Sequence, residues 1–446
     1  MWKWPVAALA AIVSGCGFGT AAQPCTSDLQ CQSNIRPGGR CELDQGGLCS
    51  FTDTDCASGR RFGDLAGNQS GQCVGGGTPG VDAAIDAEVI DAPPDAPPDA
   101  PPDAQACFGS APFTICLASS PSTAPLMLDG TIDTTTSDLC VPTTGGVDNY
   151  CVIAASTITV AADLRGIGAK PLVLIATDSI TVSGSIDVGS RRTESVSGAG
   201  AQPSTCNDGT PPGFSSTTNT SGGGAGGSFL GRGGDGGNGG GFNTSSSGGA
   251  GGQAGAAATT ESITELRGGC AGQDGQGSGD LKGAKGRGGG AVLLIAGNTI
   301  INSGTIKAGG AGGGGGGGTG RAGGGGGGSG GMIVLDAPMI TSTGFLLANG
   351  GSGAEGSASQ NPTGFPGADA TTVTAAPGGD GNNNGGPGGN GSAGVAAGAG
   401  VSGRNGADNN NVNNRAGGGG GGGGAGLIKA PATAVLGFNV SPTPVP

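Results

Sequence analysis

The sequence predicts an all-β protein, a short parallel β-helix with long glycine-rich insertions, preceded by a small disulfide-rich module and a Pro/Asp-rich stalk. Three observations predict it. A strand–turn–strand unit recurs along the C-terminal part of the chain. Glycine supplies 106 of 446 residues, while aromatics are 3%. The 13 cysteines leave an even set of six in one window and six beyond it once Cys16 is set aside.

The recurring unit is clearest in PLVLIATDSITVSGSIDVGS from Pro171, GAVLLIAGNTIINSGTIKAGG from Gly290 and GMIVLDAPMITSTGFLLANGG from Gly331. Aligned on their glycines, they superimpose Ile180, Ile300 and Ile340, then Gly184, Gly304 and Gly344, then Ile186, Ile306 and Leu346. CVIAASTITVAADLRGIG, from Cys151, is a weaker copy, with Ile153, Ile158, Val160 and Leu164 at the apolar places. AGLIKAPATAVLGF is a truncated last one, whose Leu427-Ile428-Lys429-Ala430-Pro431 matches Val334-Leu335-Asp336-Ala337-Pro338. β-branched runs that pass into apolar alternation are strand signals. One unit cannot bury its own apolar face, but stacked units can. The expected ladders are Ile158/Ile180/Ile300/Ile340 and Leu164/Ile186/Ile306/Leu346, in five coils.

The glycine tracts, from about Gly189 to Gly289, Gly309 to Gly331 and Gly350 to Gly424, then read as excursions that leave the stack at a corner and return to it. Such tracts are either disordered or ordered by backbone hydrogen bonds as packed polyglycine strands. Partial order is expected for the short middle one.

Ahead of the units, Gly80 to Ala106 repeats Asp-Ala-Pro-Pro. Between Val74 and Ala106 lie seven acidic residues and no basic ones. Proline favours an extended chain and like charges repel, so residues 77–106 form a disordered acidic linker, or stalk. The module at 23–76 holds Cys25, Cys31, Cys41, Cys49, Cys56 and Cys73. It is too small to build much of a core, and disulfides would supply the missing stability. Its connectivity is open, since six cysteines allow 15 pairings. Beyond the linker, proximity alone favours Cys107–Cys116, Cys140–Cys151 and Cys206–Cys270. The absence of CxxC spacing weakens zinc and thioredoxin-like readings.

The chain opens MWKWPVAALAAIVSGCG, with Lys3 before an apolar stretch too short to span a bilayer. Val13-Ser14-Gly15-Cys16 resembles the lipobox of bacterial lipoproteins, with Val where Leu is commonest. The resemblance implies removal of residues 1–15 and triacylation of Cys16, with residues 16–22 as a lipidated tether. Three acyl chains would hold the protein firmly, because two already anchor stably. Gly17 in place of Asp implies the outer membrane. The Cys-rich window and the linker resemble those of myxobacterial surface lipoproteins. The glycine tracts are similar in composition to the PE-PGRS proteins, but the PE module is missing, so no function carries over.

Composition excludes several activities. The net charge is −13 and there is no His. The first makes nucleic acid a poor partner. The second removes the commonest general base and metal ligand. GxGxxG is expected by chance in such a chain, and no GK[ST] follows. The calcium nonapeptide GGxGxDxUx fails in GGDGGNGGG from Gly233 and GGDGNNNGG from Gly378, leaving weak incidental binding at Asp235 or Asp380. Asp163, Arg165, Asp178 and Asp187 lie near the coils. Paired carboxylates can do glycoside chemistry, but the acidic pairs and Gly-His-Gly element of the pectin-degrading β-helices are missing. Charges on a solvent face are the favoured reading. No catalytic residue, cofactor or metal is expected. The expected function is a structural or adhesive cell-envelope lipoprotein. It would be exported and lipid-anchored at the outer membrane, at the cell surface, with the membrane and either extracellular polysaccharide or surface proteins as partners. The alternative is a carbohydrate-binding or polysaccharide-degrading β-helix. An aromatic groove would favour that alternative, and Tyr150, Phe214, Phe229 and Phe242 are the nearest candidates.

Overall fold

The computed structural model describes residues 24–31, 38–56, 58–75, 106–144, 149–242, 248–277, 281–318, 320–358, 363–381, 384–408 and 415–446. The expected lipobox with Cys16, the expected tether at 16–22 and residues 77–105 of the expected linker lie outside the described residues. Contacts divide the chain into two units, Met1–Ala96 and Pro97–Pro446. The described residues of both are mainly β or extended. Among the described residues, helix is limited to short 3-10 turns such as Asp28–Cys31 and Thr260–Ser262.

In the first unit, Arg40–Glu42, Leu48–Thr52 and Arg60–Phe62 form an antiparallel sheet. Its apolar core is little more than Leu48, Phe62 and Ala66. Disulfides Cys25–Cys41, Cys31–Cys49 and Cys56–Cys73 close loops across it. That is how a chain too short for a large core is held.

The second unit is built on two parallel sheets that share six rungs. Rung one is Leu126–Met127 with Gly130–Asp133, and rung two is Cys151–Val160 with Asp163–Ile167. Rung three is Leu172–Val182 with Ser185–Asp187. Rungs four and five split the first strand in two: Ala291–Ala296, Thr299–Asn302 and Thr305–Lys307, then Met332–Asp336, Met339–Ser342 and Phe345–Leu347. Leu427–Lys429, Val435–Leu436 and Val440–Ser441 close the stack. Each rung pairs in parallel with the next. Ile158, Ile180, Ile300 and Ile340 align across the first sheet, and Leu164, Ile186, Ile306 and Leu346 across the second. All eight are buried in one cluster between the sheets. At the corner, Gly184, Gly304 and Gly344 stack so tightly that a Cβ on Gly304 would run into the carbonyl oxygen of Gly184.

Two expectations about the rungs are corrected. There are six rungs, not five, because Leu126–Met127 and Gly130–Asp133 add one below Cys151. In the last rung Leu427 pairs with Met332, not Val334. The shift is two residues, so the same side chains still face inward.

The glycine tracts differ most from expectation. They are not loops outside the fold, and order is not confined to the middle tract. They form extended strands packed beside the rungs. Their hydrogen bonds repeat every third residue, the period of a polyproline-II helix. Gly324, Gly327 and Gly330 donate to Gly418, Gly421 and Gly424, while Gly325, Gly328 and Gly331 donate to Gly314, Ala311 and Ala308. Gly323, Gly326 and Ser329 donate to Gln276, Gln273 and Cys270. The same strand accepts bonds from Gly224 and Gly227, from Gly283, Gly286 and Gly289, and from Gly351, Ala354 and Ser357. It therefore has six neighbours, and each of its three faces meets backbone. A Cβ on Gly326 would fall on the carbonyl oxygen of Ala225. As in collagen, glycine is the residue that fits such crowding.

Candidate functional site

The carboxylates singled out from sequence are held by neighbouring side chains and amides. Asp187, 8% exposed, accepts from Arg165 Nη1 at 3.0 Å, Arg191 Nη2 at 2.7 Å and the amide of Gly189 at 2.9 Å. Arg165 Nη2 reaches Glu194 at 2.7 Å, and Arg191 Nη1 reaches it at 2.9 Å. Arg287 Nη1 donates to the Glu194 carbonyl at 2.7 Å. The hydrogen bond that Arg191 donates to Asp187 holds its guanidinium above the usual pKa. This network ties the exit of the first glycine excursion, at Gly189, to its return near Arg287. Asp163 accepts from the Ser185 hydroxyl at 2.6 Å. Asp178 is exposed beside Asn298, at 3.4 Å.

The metal candidates are also engaged in structure. Asp235 Oδ1 accepts from Arg232 at 2.6 Å and from the amide of Ala254 at 2.9 Å. Asp380 lies exposed on a separate strand. The sulfurs of Cys25, Cys31 and Cys49 lie within 4.8 Å of one another. That grouping is two adjacent disulfides, so these cysteines present no thiolate.

Beyond the first unit the structure joins Cys107–Cys116, Cys140–Cys151 and Cys206–Cys270, the pairs that proximity favoured. Of the four aromatics, Phe229 is buried under the Arg267 guanidinium, 4.3 Å from the ring centroid, and Phe242 lies against Arg415 at 3.8 Å. Tyr150 packs at the margin of the cluster around Phe113, and Phe214 is exposed in the short pair Phe214–Ser215 with Thr220–Ser221. A pocket of about 480 Å³ is lined by Phe113, Ile263 and Leu427, with Glu261 and Lys429 as its charged residues.

Sequence reasoning missed two features. Polar side chains spaced by three stand in for absent neighbours at the edge of the glycine strands. Ser402, Asn405 and Asp408 accept from the amides of Asp235, Asn238 and Gly241. Asn238 in turn accepts from Gly251. The three-residue spacing of Asx and Ser was the available signal.

The second feature is a difference within the first sheet. The outward side chains of its leading half, Val152, Val173, Leu293 and Val334, are covered by Phe113, Ile115, Leu117, Phe229, Ile263 and Leu266. Its trailing half faces solvent. There the register places Thr157, Ser179, Thr299 and Met339 in one column, and Met127, Thr159, Thr181, Ile301, Thr341 and Val435 in the next. None is charged. Met127 is 75% exposed, Val435 66%, Met339 62% and Ile301 46%.

No protein-family model matches this chain, and no curated protein or solved structure matches it.

Proposed function

We propose that the protein is an exported, lipid-anchored cell-envelope protein with a structural or adhesive role at the outer membrane or cell surface, without catalytic activity. The observation that carries this reading is the set of six disulfides spread over both units. Cystines persist in oxidising, extracytoplasmic compartments. They use 12 of the 13 cysteines and leave Cys16, the one in the lipobox. The hydrogen-bonded carboxylates favour a scaffold over a hydrolase. We take the two parallel sheets as two walls of a short parallel β-helix, whose third side is continued by the glycine strands.

Protease treatment of intact cells tests this reading. Surface display gives loss of the C-terminal unit while the acylated N-terminus stays with the membrane. Protection in cells of a chain that is cleaved once isolated would place it in the periplasm and overturn the surface assignment. Cys16→Ser is expected to abolish labelling by radioactive palmitate, and persistent labelling would overturn the anchor.

A further inference from the structure

We propose that the open half of the first sheet is the adhesive surface, and that its ligand is an extended chain of neutral polysaccharide lying along the stack axis, one sugar to a rung. This rests on the adhesive reading above and names its ligand.

The face is chemically selected, not merely left over. Threonine on a strand is ordinary, but an open sheet face without charge is not. The adjoining sheet of the same rungs carries Asp163, Arg165, Asp187 and Lys307 on its outer side, in the positions that flank Leu164, Ile186 and Ile306. The open face carries hydroxyls and methyls, with four large apolar side chains exposed among them.

Its dimensions choose the kind of partner. Rungs lie about 4.8 Å apart, so six of them make a strip about 24 Å long. The two columns stand about 6.6 Å apart, since alternate residues of a strand share a face. The strip between the two columns therefore covers roughly 160 Å², well below the roughly 800 Å² per partner of a stable protein interface. A second copy or a globular protein would need more surface than it offers. A linear polymer laid across the strands fits a long narrow strip and meets the same chemistry at each rung.

Charge excludes polyanions, because the strip has no cation and the chain carries −13 overall. A neutral sugar presents C–H faces and hydroxyls together. The methyls of Thr159, Thr181 and Ile301 can meet the former, and the hydroxyls of Thr157 and Ser179 the latter. Exposed Asp178 and Asn298 border one side of the strip, where further sugar hydroxyls can hydrogen-bond.

The test is retention of the full-length protein, in detergent, on amorphous cellulose, chitin and a linear β-1,3-glucan, with alginate as the anionic control. Retention is expected on at least one neutral polymer and not on alginate. Ile301→Lys places a charge mid-strip at an exposed position and is expected to weaken retention at least tenfold. Thr157→Val keeps the shape, removes a hydroxyl and should weaken it severalfold. Val401→Lys, on an outer glycine strand, should leave it unchanged. Failure to bind all three neutral polymers would overturn the proposal. So would equal retention of Ile301→Lys and Val401→Lys, or a concentration-dependent dimer that Ile301→Lys abolishes, which would assign the face to a second copy. Surface display without glycan retention would sink this inference alone. A protected, periplasmic unit would sink the reading beneath it.

Discussion

In the rungs, Ile180 is buried between two sheets, and its strand has one hydrogen-bonded neighbour on each side. In the glycine bundle, Gly326 has no side chain, and its strand has hydrogen-bonded neighbours in six directions. The rungs are stabilised mainly by apolar burial, about 1.5–3 kcal/mol for each large side chain. The bundle has almost none to bury. It relies on backbone hydrogen bonds, each contributing about 1 kcal/mol net, and on close contact between backbones. Against this stands the entropy of ordering glycine, the largest of any residue. A bundle so constituted depends on anchorage, and the chain supplies it. Each excursion begins and ends on a rung, and one of them is also closed by Cys206–Cys270.

The largest expected effect follows from the absence of slack in the bundle. In Gly326→Val the new atoms meet the backbone of Ala225, which cannot rotate aside. At least two strands must separate, with several hydrogen bonds lost. A destabilisation above about 5 kcal/mol is expected, the exceptional end for a point change. It should appear as loss of soluble folded protein. An unshifted melting temperature would break the comparison, because it would mean that the tracts are not packed as described.

Next in size is the disulfide. Replacing Cys206 and Cys270 together by Ser frees a loop whose ends are 64 residues apart. The chain-entropy model gives about 4 kcal/mol for a loop of that length. Chemical denaturation of the double variant checks this. A loss below about 1 kcal/mol would mean that the rungs alone anchor the excursion. In the rungs, by contrast, Ile300→Val removes one methylene from a core that can partly relax. About 1 kcal/mol is expected, measured by the same denaturation. A loss as large as that of Gly326→Val would erase the distinction between the two regions.

The same contrast decides how much was legible in the sequence. The ladders through Ile158 and Leu164 could be read because apolar side chains repeat along strands and corners need glycine. The first rung escaped because Leu126–Met127 is two residues long and sits among Thr, Ser and Pro. The last rung was aligned two residues out because its Ala430-Pro431 turn resembles Ala337-Pro338, yet follows a strand of three residues instead of five. The bundle was largely illegible. Glycine has no hydropathy to alternate, so its three-residue period survives only in edge residues such as Ser402, Asn405 and Asp408. Asp163, Arg165 and Asp187 were visible as chemistry. Their actual bonds, to Ser185, Arg191 and Glu194, depend on tertiary placement. The open threonine face became distinct only once Phe113, Phe229 and their neighbours were seen to cover the other half of the sheet.

The smallest expected effects are pH edges, and they report on the two regions separately. Tyr150 packs against the cluster that covers the rungs. Burial, and then the charge of Glu265, raise its pKa above the usual value. The folded state thus keeps a proton that the unfolded chain releases near pH 10. That contribution is fully present below about pH 10 and is lost as pH rises through the folded value. Asp274 lies on a glycine strand. Burial pushes its carboxyl up, but the hydrogen bonds from Lys282 Nζ at 2.8 Å and the Lys285 amide at 2.9 Å outweigh it and leave the pKa lowered. Its contribution is present above about pH 4 and is lost as pH falls through the folded value. Tyr150→Phe should therefore flatten the alkaline limb of the stability curve and leave the acid limb alone, and Asp274→Asn the reverse. Hydrogen exchange of the bundle amides, followed across both limbs, localises each effect. If Asp274→Asn left exchange in the bundle unchanged at low pH, the strands would be held by their backbones alone. The contrast between a side-chain core and a backbone core would then be sharper than the bonds of Asp274 indicate.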